Sequence, residues 1–154
     1  IFGAPPFTIP LQMEYSHYEH PSSALAFKPN LTEEEMNELS QGFIKAYTKV
    51  PPVIIESIKK TDQNMRPSLG ASITPENIKN EAEFVRNLKK PIAVFHGKDD
   101  QLIKYSYFER LEIPSLWKGS AHQVEDSGHC PQVENPGQFN HLLTEFLRSV
   151  LEKN

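Results

Sequence analysis

The chain has 154 residues, about one domain by length and enough to bury a real core. Its 38% hydrophobic and 23% charged residues are ordinary, and a formal net charge of −4 leaves no basic stripe of the kind nucleic acid or an anionic membrane surface selects. No apolar run approaches the roughly eighteen residues of a membrane span, and the single Cys130 excludes an intrachain disulfide. One cysteine fits a reducing compartment such as the cytoplasm without excluding secretion. A small-molecule or protein partner is therefore expected.

The opening "IFGAPPF" is an apolar run broken by a glycine and a double proline. Residues 1–10 read as the end of a core strand and the loop after it. A domain seldom begins inside a strand, whose backbone groups need partners, so the expectation is the C-terminal piece of a longer protein. Loop signals continue to Asn30, with Pro10, Pro21 and Pro29 as punctuation. The stretch 31–50 predicts one helix, capped by Thr32 with Glu35 completing a capping box, and with Met36, Leu39, Phe43, Tyr47 and Val50 on one face. Pro51 and Pro52 end that helix and start another, which buries Val53, Ile54, Ile55 and Ile58. "TPEN" predicts a third helix with Thr74 as cap and Pro75 in its first turn, carrying Ile78, Ala82, Val85 and Leu88. Residues 11–90 are thus expected to be mainly helical.

From residue 91 the pattern changes. "PIAVFHG" (91–97) is a short continuous apolar run, as in a strand covered on both faces. "KYSYFERL" predicts a short helix, and "AHQVED" (121–126) a second strand ending near Gly128. The last helix is the clearest: Asn135 caps it, Pro136 takes its first position, Gln138 can complete a box, and Phe139, Leu142, Leu143, Phe146, Leu147, Val150 and Leu151 keep period. Strand, helix, strand, helix over 91–154 is the rhythm of a parallel sheet flanked by helices, an α/β class.

Functional groups in such sheets gather in loops at the carboxyl ends of strands. Two loops qualify. In "HGKDDQLI", Asp100 ends a G-x-x-D turn; in "DSGHCP", His129 follows the next strand. A carboxylate and an imidazole projected from adjacent strand ends can pair, the carboxylate holding the imidazole's tautomer and stabilising its charged form. A nucleophile-activating base needs that arrangement.

"PIAVFHGKDDQLI" followed by "VEDSGHCPQVENPGQFNHLLTEFL" resembles the C-terminal end of an α/β-hydrolase, with G-x-x-D for the triad acid and G-H-x-P-x-x-E-x-P for the triad histidine. The resemblance covers roughly 91–150; "IFGAPPF" is similar to the segment after the preceding core strand, and the helical stretch sits where that family inserts its cap or lid. It implies Asp100 as the acid, His129 as the base and, with substrate between core and cap, Pro6, Phe7, Leu102 and Cys130 at the substrate. It also implies a serine carboxylic-ester hydrolase working through an acyl-enzyme. In this family the nucleophile precedes the acid on a G-x-S-x-G elbow, and the sequence contains no such elbow. The chain is accordingly expected to be inactive alone, its partners being the missing N-terminal half, a small-molecule substrate, and a second copy through an exposed sheet edge.

Other readings stay open beside this one. The fold also serves epoxide hydrolases and dehalogenases with an aspartate nucleophile, C–C hydrolases and peptidases, and a non-catalytic interaction protein that kept the scaffold. Asp99 is a solvated neighbour of Asp100, Asp126 a strand-end turn residue, and Glu134 a local hydrogen-bonding group ahead of the helix. Cys130 beside His129 invites a thiol dyad, but consecutive side chains usually diverge. His17 and His20 have H-x-x-H spacing without a third ligand nearby, so no metal is expected, and without a glycine-rich phosphate loop no cofactor. Met13, Tyr15, Tyr18 and Phe27 either line an acyl or aromatic pocket or simply pack under the cap.

Overall fold

A computed structural model describes residue 1 and residues 3–152. Phe2, within the expected strand end, and Lys153 and Asn154, at the end of the expected 91–154 segment, lie outside the described residues. In chain order the elements are α1 (Met13–Ser16), α2 (Ser22–Leu25), α3 (Glu33–Gly42), α4 (Pro52–Lys60), α5 (Met65–Ser72), α6 (Glu81–Asn87), β1 (Phe95–Gly97), α7 (Tyr105–Arg110), β2 (His122–Val124), α8 (Pro131–Glu134) and α9 (Pro136–Leu151).

The run from Ile92 to Gly97 is buried throughout. β1 pairs with β2 in parallel, Phe95 opposite His122 and Gly97 opposite Val124, and the pairing extends upstream through a parallel bridge between Ile92 and Leu116. On the other side of β1 the amino group of Ile1 donates to the Ala93 carbonyl at 2.6 Å, and its own carbonyl accepts from the Phe95 N–H at 3.0 Å. Those two bonds have the spacing of a parallel ladder, so Ile1 lies beside β1.

The continuous apolar run has a physical cause: both faces of the strand are covered. Ile92 and Val94 point into a cluster with Val85, Ile103, Phe108 and Ile113, against α6 and α7. Ala93 and Phe95 point the other way, onto Val124 and Phe139 and the inner side of α9, where Leu142, Leu143 and Phe146 join Trp117. Val94 and Val124 have no exposed surface, which stabilises by about 1.5–3 kcal/mol per side chain. At the start of α9 the Asn135 side chain accepts from the Gln138 N–H as predicted. Gln138 does not complete the box; its side-chain oxygen accepts from the Glu125 N–H at 2.8 Å and ties the helix start to the end of β2.

The helical layer departs more from expectation. The Thr32 capping box forms, but α3 stops at Gly42 rather than running to Val50. A Cβ at residue 42 would overlap the Ser22 hydroxyl, so glycine admits α2 at the point where the chain turns. Beyond it Tyr47 takes a left-handed φ of 61° and is fully exposed, while Leu39 and Ile44 supply the buried side. The third predicted helix begins late: Asn80, whose side chain accepts from the Glu83 N–H, caps α6, and Thr74 lies in turns ahead of it. Ala82 and Val85 are buried as predicted. The sequence reading missed α5, whose apolar pattern is weak and which holds Pro67 and Gly70. Leu39, Ile44, Ile54 and Ile58 form the core of this layer, and Cys130 and Val133 pack against it.

Candidate active site

Gly97 ends β1, and a tight turn follows in which Asp100 N–H donates to the Gly97 carbonyl. The turn buries the Asp100 side chain to 2% exposure. One carboxylate oxygen accepts from the Leu102 and Ile103 N–H groups at 2.8 and 3.1 Å. The other faces His129, whose Nδ1 lies 3.0 Å away. Burial works to raise the Asp100 pKa, but the hydrogen bond and charge of His129, with the two N–H groups, outweigh it and the net shift is downward. An ionised carboxylate cannot donate, so Nδ1 carries the proton of this bond and Nε2 is the free ring nitrogen.

The loop after β2 lies directly on the loop after β1. Asp99 N–H donates to the Ser127 carbonyl at 2.9 Å, and a Cβ at Gly97 would overlap the Gly128 carbonyl oxygen. His96 lies below, buried among Tyr105 and Phe108, its Nδ1 3.7 Å from the same Asp100 oxygen. Burial pushes the His96 pKa down, against the pull of Asp100.

His129 Nε2 looks outward. A Cβ on Gly3 would stand 3.8 Å from it, and Gly3 takes a φ of 76° that favours glycine. Beyond lies a cavity of about 410 Å³ lined by His129, Phe43, Val53, Ile54, Ile58 and Val133, among others, within the range of about 300–1,000 Å³ usual for small-molecule sites. A second cavity of about 310 Å³, with Tyr15, Arg86 and Tyr107 in its wall, holds no part of the Asp100–His129 pair.

The structure thus brings Asp100 and His129 together and sets Cys130 in the cavity wall. Cys130 is a weak nucleophile there, because burial first, then the charges of Glu134 and Asp100, push its thiol up to about 11. Pro6 and Phe7 lie elsewhere: Pro6 accepts the Tyr107 hydroxyl at 2.6 Å, and Phe7 is bonded through its backbone to Glu81 and Ala82. Leu102 contributes its N–H to Asp100 and packs on the core rather than at the cavity. Asp99 and Asp126 both pair with the Lys45 ammonium, at 3.2 and 2.9 Å. His17 and His20 turn their Nδ1 atoms to the Ser16 and Ser22 hydroxyls, and none of Met13, Tyr15, Tyr18 or Phe27 reaches the His129 cavity.

Sequence reasoning gave Phe43 and Gln101 no place at the site, and gave Glu134 only a local hydrogen-bonding role; the 41–45 turn engages all three. Phe43 stacks on the His129 ring, centroids 5.8 Å apart at 25°. The Gln101 side-chain amide donates to the Gln41 and Ile44 carbonyls at 3.2 and 2.7 Å. Glu134 accepts from the Gly128 and Lys45 N–H groups. Gly42 was the available signal, since a glycine is unfavourable inside a helix and near a helix end marks where it can stop.

No protein-family model and no curated protein matches the sequence. Solved structures do. A variant of the N-acyl homoserine lactonase AidH, with N-hexanoyl homoserine lactone bound, superposes at a TM-score of 0.88 with 22% identity, over 99% of this chain and 55% of that one. For the carboxylesterase CesB from Bacillus subtilis the values are 0.58 and 16%, over 83% and 46%. For the CarC serine hydrolase of carbazole degradation they are 0.59 and 22%, over 77% and 48%. The chain spans about half the length of these neighbours. With its parallel strands, the two facing loops after them and the closing helix α9, it has the α/β-hydrolase fold, in that fold's C-terminal portion.

Proposed function

We infer that the intact protein is an ester-cleaving hydrolase in which His129 is the general base and acid and Asp100 its orienting carboxylate. One observation carries this: a buried, ionised Asp100 holds His129 Nδ1 at 3.0 Å while Nε2 faces a largely apolar cavity. In that pose Nε2 takes the proton of a nucleophile as the nucleophile attacks the ester carbonyl, then returns it to the departing alkoxide. Asp100 stabilises the imidazolium that exists between the two transfers. Water repeats the cycle on the acyl-enzyme. The nucleophile and the oxyanion donors come from a part of the protein outside this chain, and the helices of 11–90 act as the cap that roofs the cavity. The likeness to a lactonase holding N-hexanoyl homoserine lactone and to a carboxylesterase supports the substrate class.

A panel of p-nitrophenyl esters and N-acyl homoserine lactones, offered to the full-length protein, tests this reading. Turnover should fall by about 10³-fold or more in His129→Ala; retention of most activity would reject the base. The 154-residue chain alone should leave every substrate intact. Its groove at Ile1, Ala93, Phe95, Phe139, Leu143 and Phe146 is covered by the rest of the sheet in the intact protein, so alone the chain should self-associate. A clean monomer by light scattering at high concentration would count against that.

A further inference from the structure

Glu134 closes α8 and has no part in the proton path just described, yet its carboxylate is half-buried beneath the site. Burial, the larger influence, pushes its pKa up against the backbone N–H groups that hold it. One oxygen accepts from the Gly128 N–H at 2.8 Å, immediately before His129. The other accepts from the Lys45 N–H at 2.6 Å, two residues after Phe43 and 89 residues away in sequence. Between these two bonds Gly128 lies flat on the Ile44 backbone, with no room for a Cβ. The carboxylate is a bracket that binds the histidine loop to the 41–45 turn, and that turn presents the Phe43 ring to the face of His129.

His129 is therefore held on one edge by Asp100 and on one face by Phe43, and both the backbone under it and the backbone under Phe43 end on Glu134. Glutamine cannot replace this, having one acceptor for two donors and an NH₂ that would abut a backbone N–H. We propose that Glu134 is a positioning residue for the hydrolytic step, fixing the pose of His129 through Gly128 and through the turn that carries Phe43. The proposal rests on His129 being the base.

The test uses the full-length protein with the ester it turns over fastest. Glu134→Gln should lower kcat about 10- to 100-fold while KM moves by less than about threefold, the signature of a misaligned base rather than a weakened binding site. Phe43→Leu should also lower kcat, and the double variant should lose far less than the product of the two single losses, because both act through one imidazole pose. Should Glu134→Gln not fold, Glu134→Asp, too short to reach both N–H groups, carries the same expectations. Wild-type kcat in the Glu134 variants, or losses that simply multiply with Phe43→Leu, would overturn the proposal. An active His129→Ala would instead reject the base itself; an inactive His129→Ala beside fully active Glu134 variants would reject only the positioning role.

Discussion

The segment from Pro91 to Leu151 and the helical layer before it are built in different ways. In the first, two apolar clusters sandwich one strand, and Ile92 to Gly97 has no exposed residue. The second has one cluster of four buried side chains and leaves Val53, Met65, Leu69 and Phe84 about half exposed or more. Val85 and Leu88 of this layer join the cluster under Ile92 and Val94, Cys130 and Val133 pack on its own cluster, and near His129 the junction is polar, through Lys45, Gln101 and Glu134. The more deeply buried segment holds Asp100 and His129; the more exposed one lines much of the cavity beside them.

Substitutions in the two parts should expose that inequality. Phe139→Ala removes a ring that is 5% exposed and packed edge-on to Phe95, and denaturant unfolding should report a loss of about 3–5 kcal/mol. Val53→Ala, at 57% exposure in the helical layer, should stay within about 0.5 kcal/mol. Equal losses would erase the distinction. Acid should weaken the junction of the loops in two stages. His96 and His17, both lowered by burial below the ordinary 6.5, bind protons more readily unfolded, so stability falls as pH drops below about 6.5. Asp100, lowered in the fold from 3.8, adds a second loss below about pH 4 as the pH approaches its folded value. Glu134, raised above 4.5, acts in the opposite sense, and thermal melts from pH 8 to pH 3 should show the net decline. The smallest effect belongs to Lys45→Ala, which removes two exposed ion pairs: a slight drop in Tm at low salt that disappears in about 1 M salt.

What could be read in the sequence was what depends on near neighbours. Asn135 caps α9 and Asp100 closes its turn through bonds two or three residues long, and the strand declared itself by an apolar run that only two-sided burial permits. Asp100 and His129 needed more: a 29-residue separation that became legible only because each sits in a turn at a strand end. Phe43, Lys45 and Gln101 gave no such sign. Their partners stand 54 to 89 residues away, and a helical period carried past Gly42 placed Phe43 and Tyr47 on one face. The structure sends the first to His129 and the second into solvent.

Gly97 and Gly128 touch backbone to backbone, and neither has room for a Cβ: the first would meet the Gly128 carbonyl, the second the Ile44–Lys45 backbone. A library randomised at both positions should return glycine at 97 and at 128 almost without exception, since each obstruction is backbone that cannot swing aside. Anyone redesigning the cavity would do better to spend diversity on Val53, Ile54 and Ser57 of α4, which line it with His129. There the wall can be recut while Asp100 and His129 keep their contact.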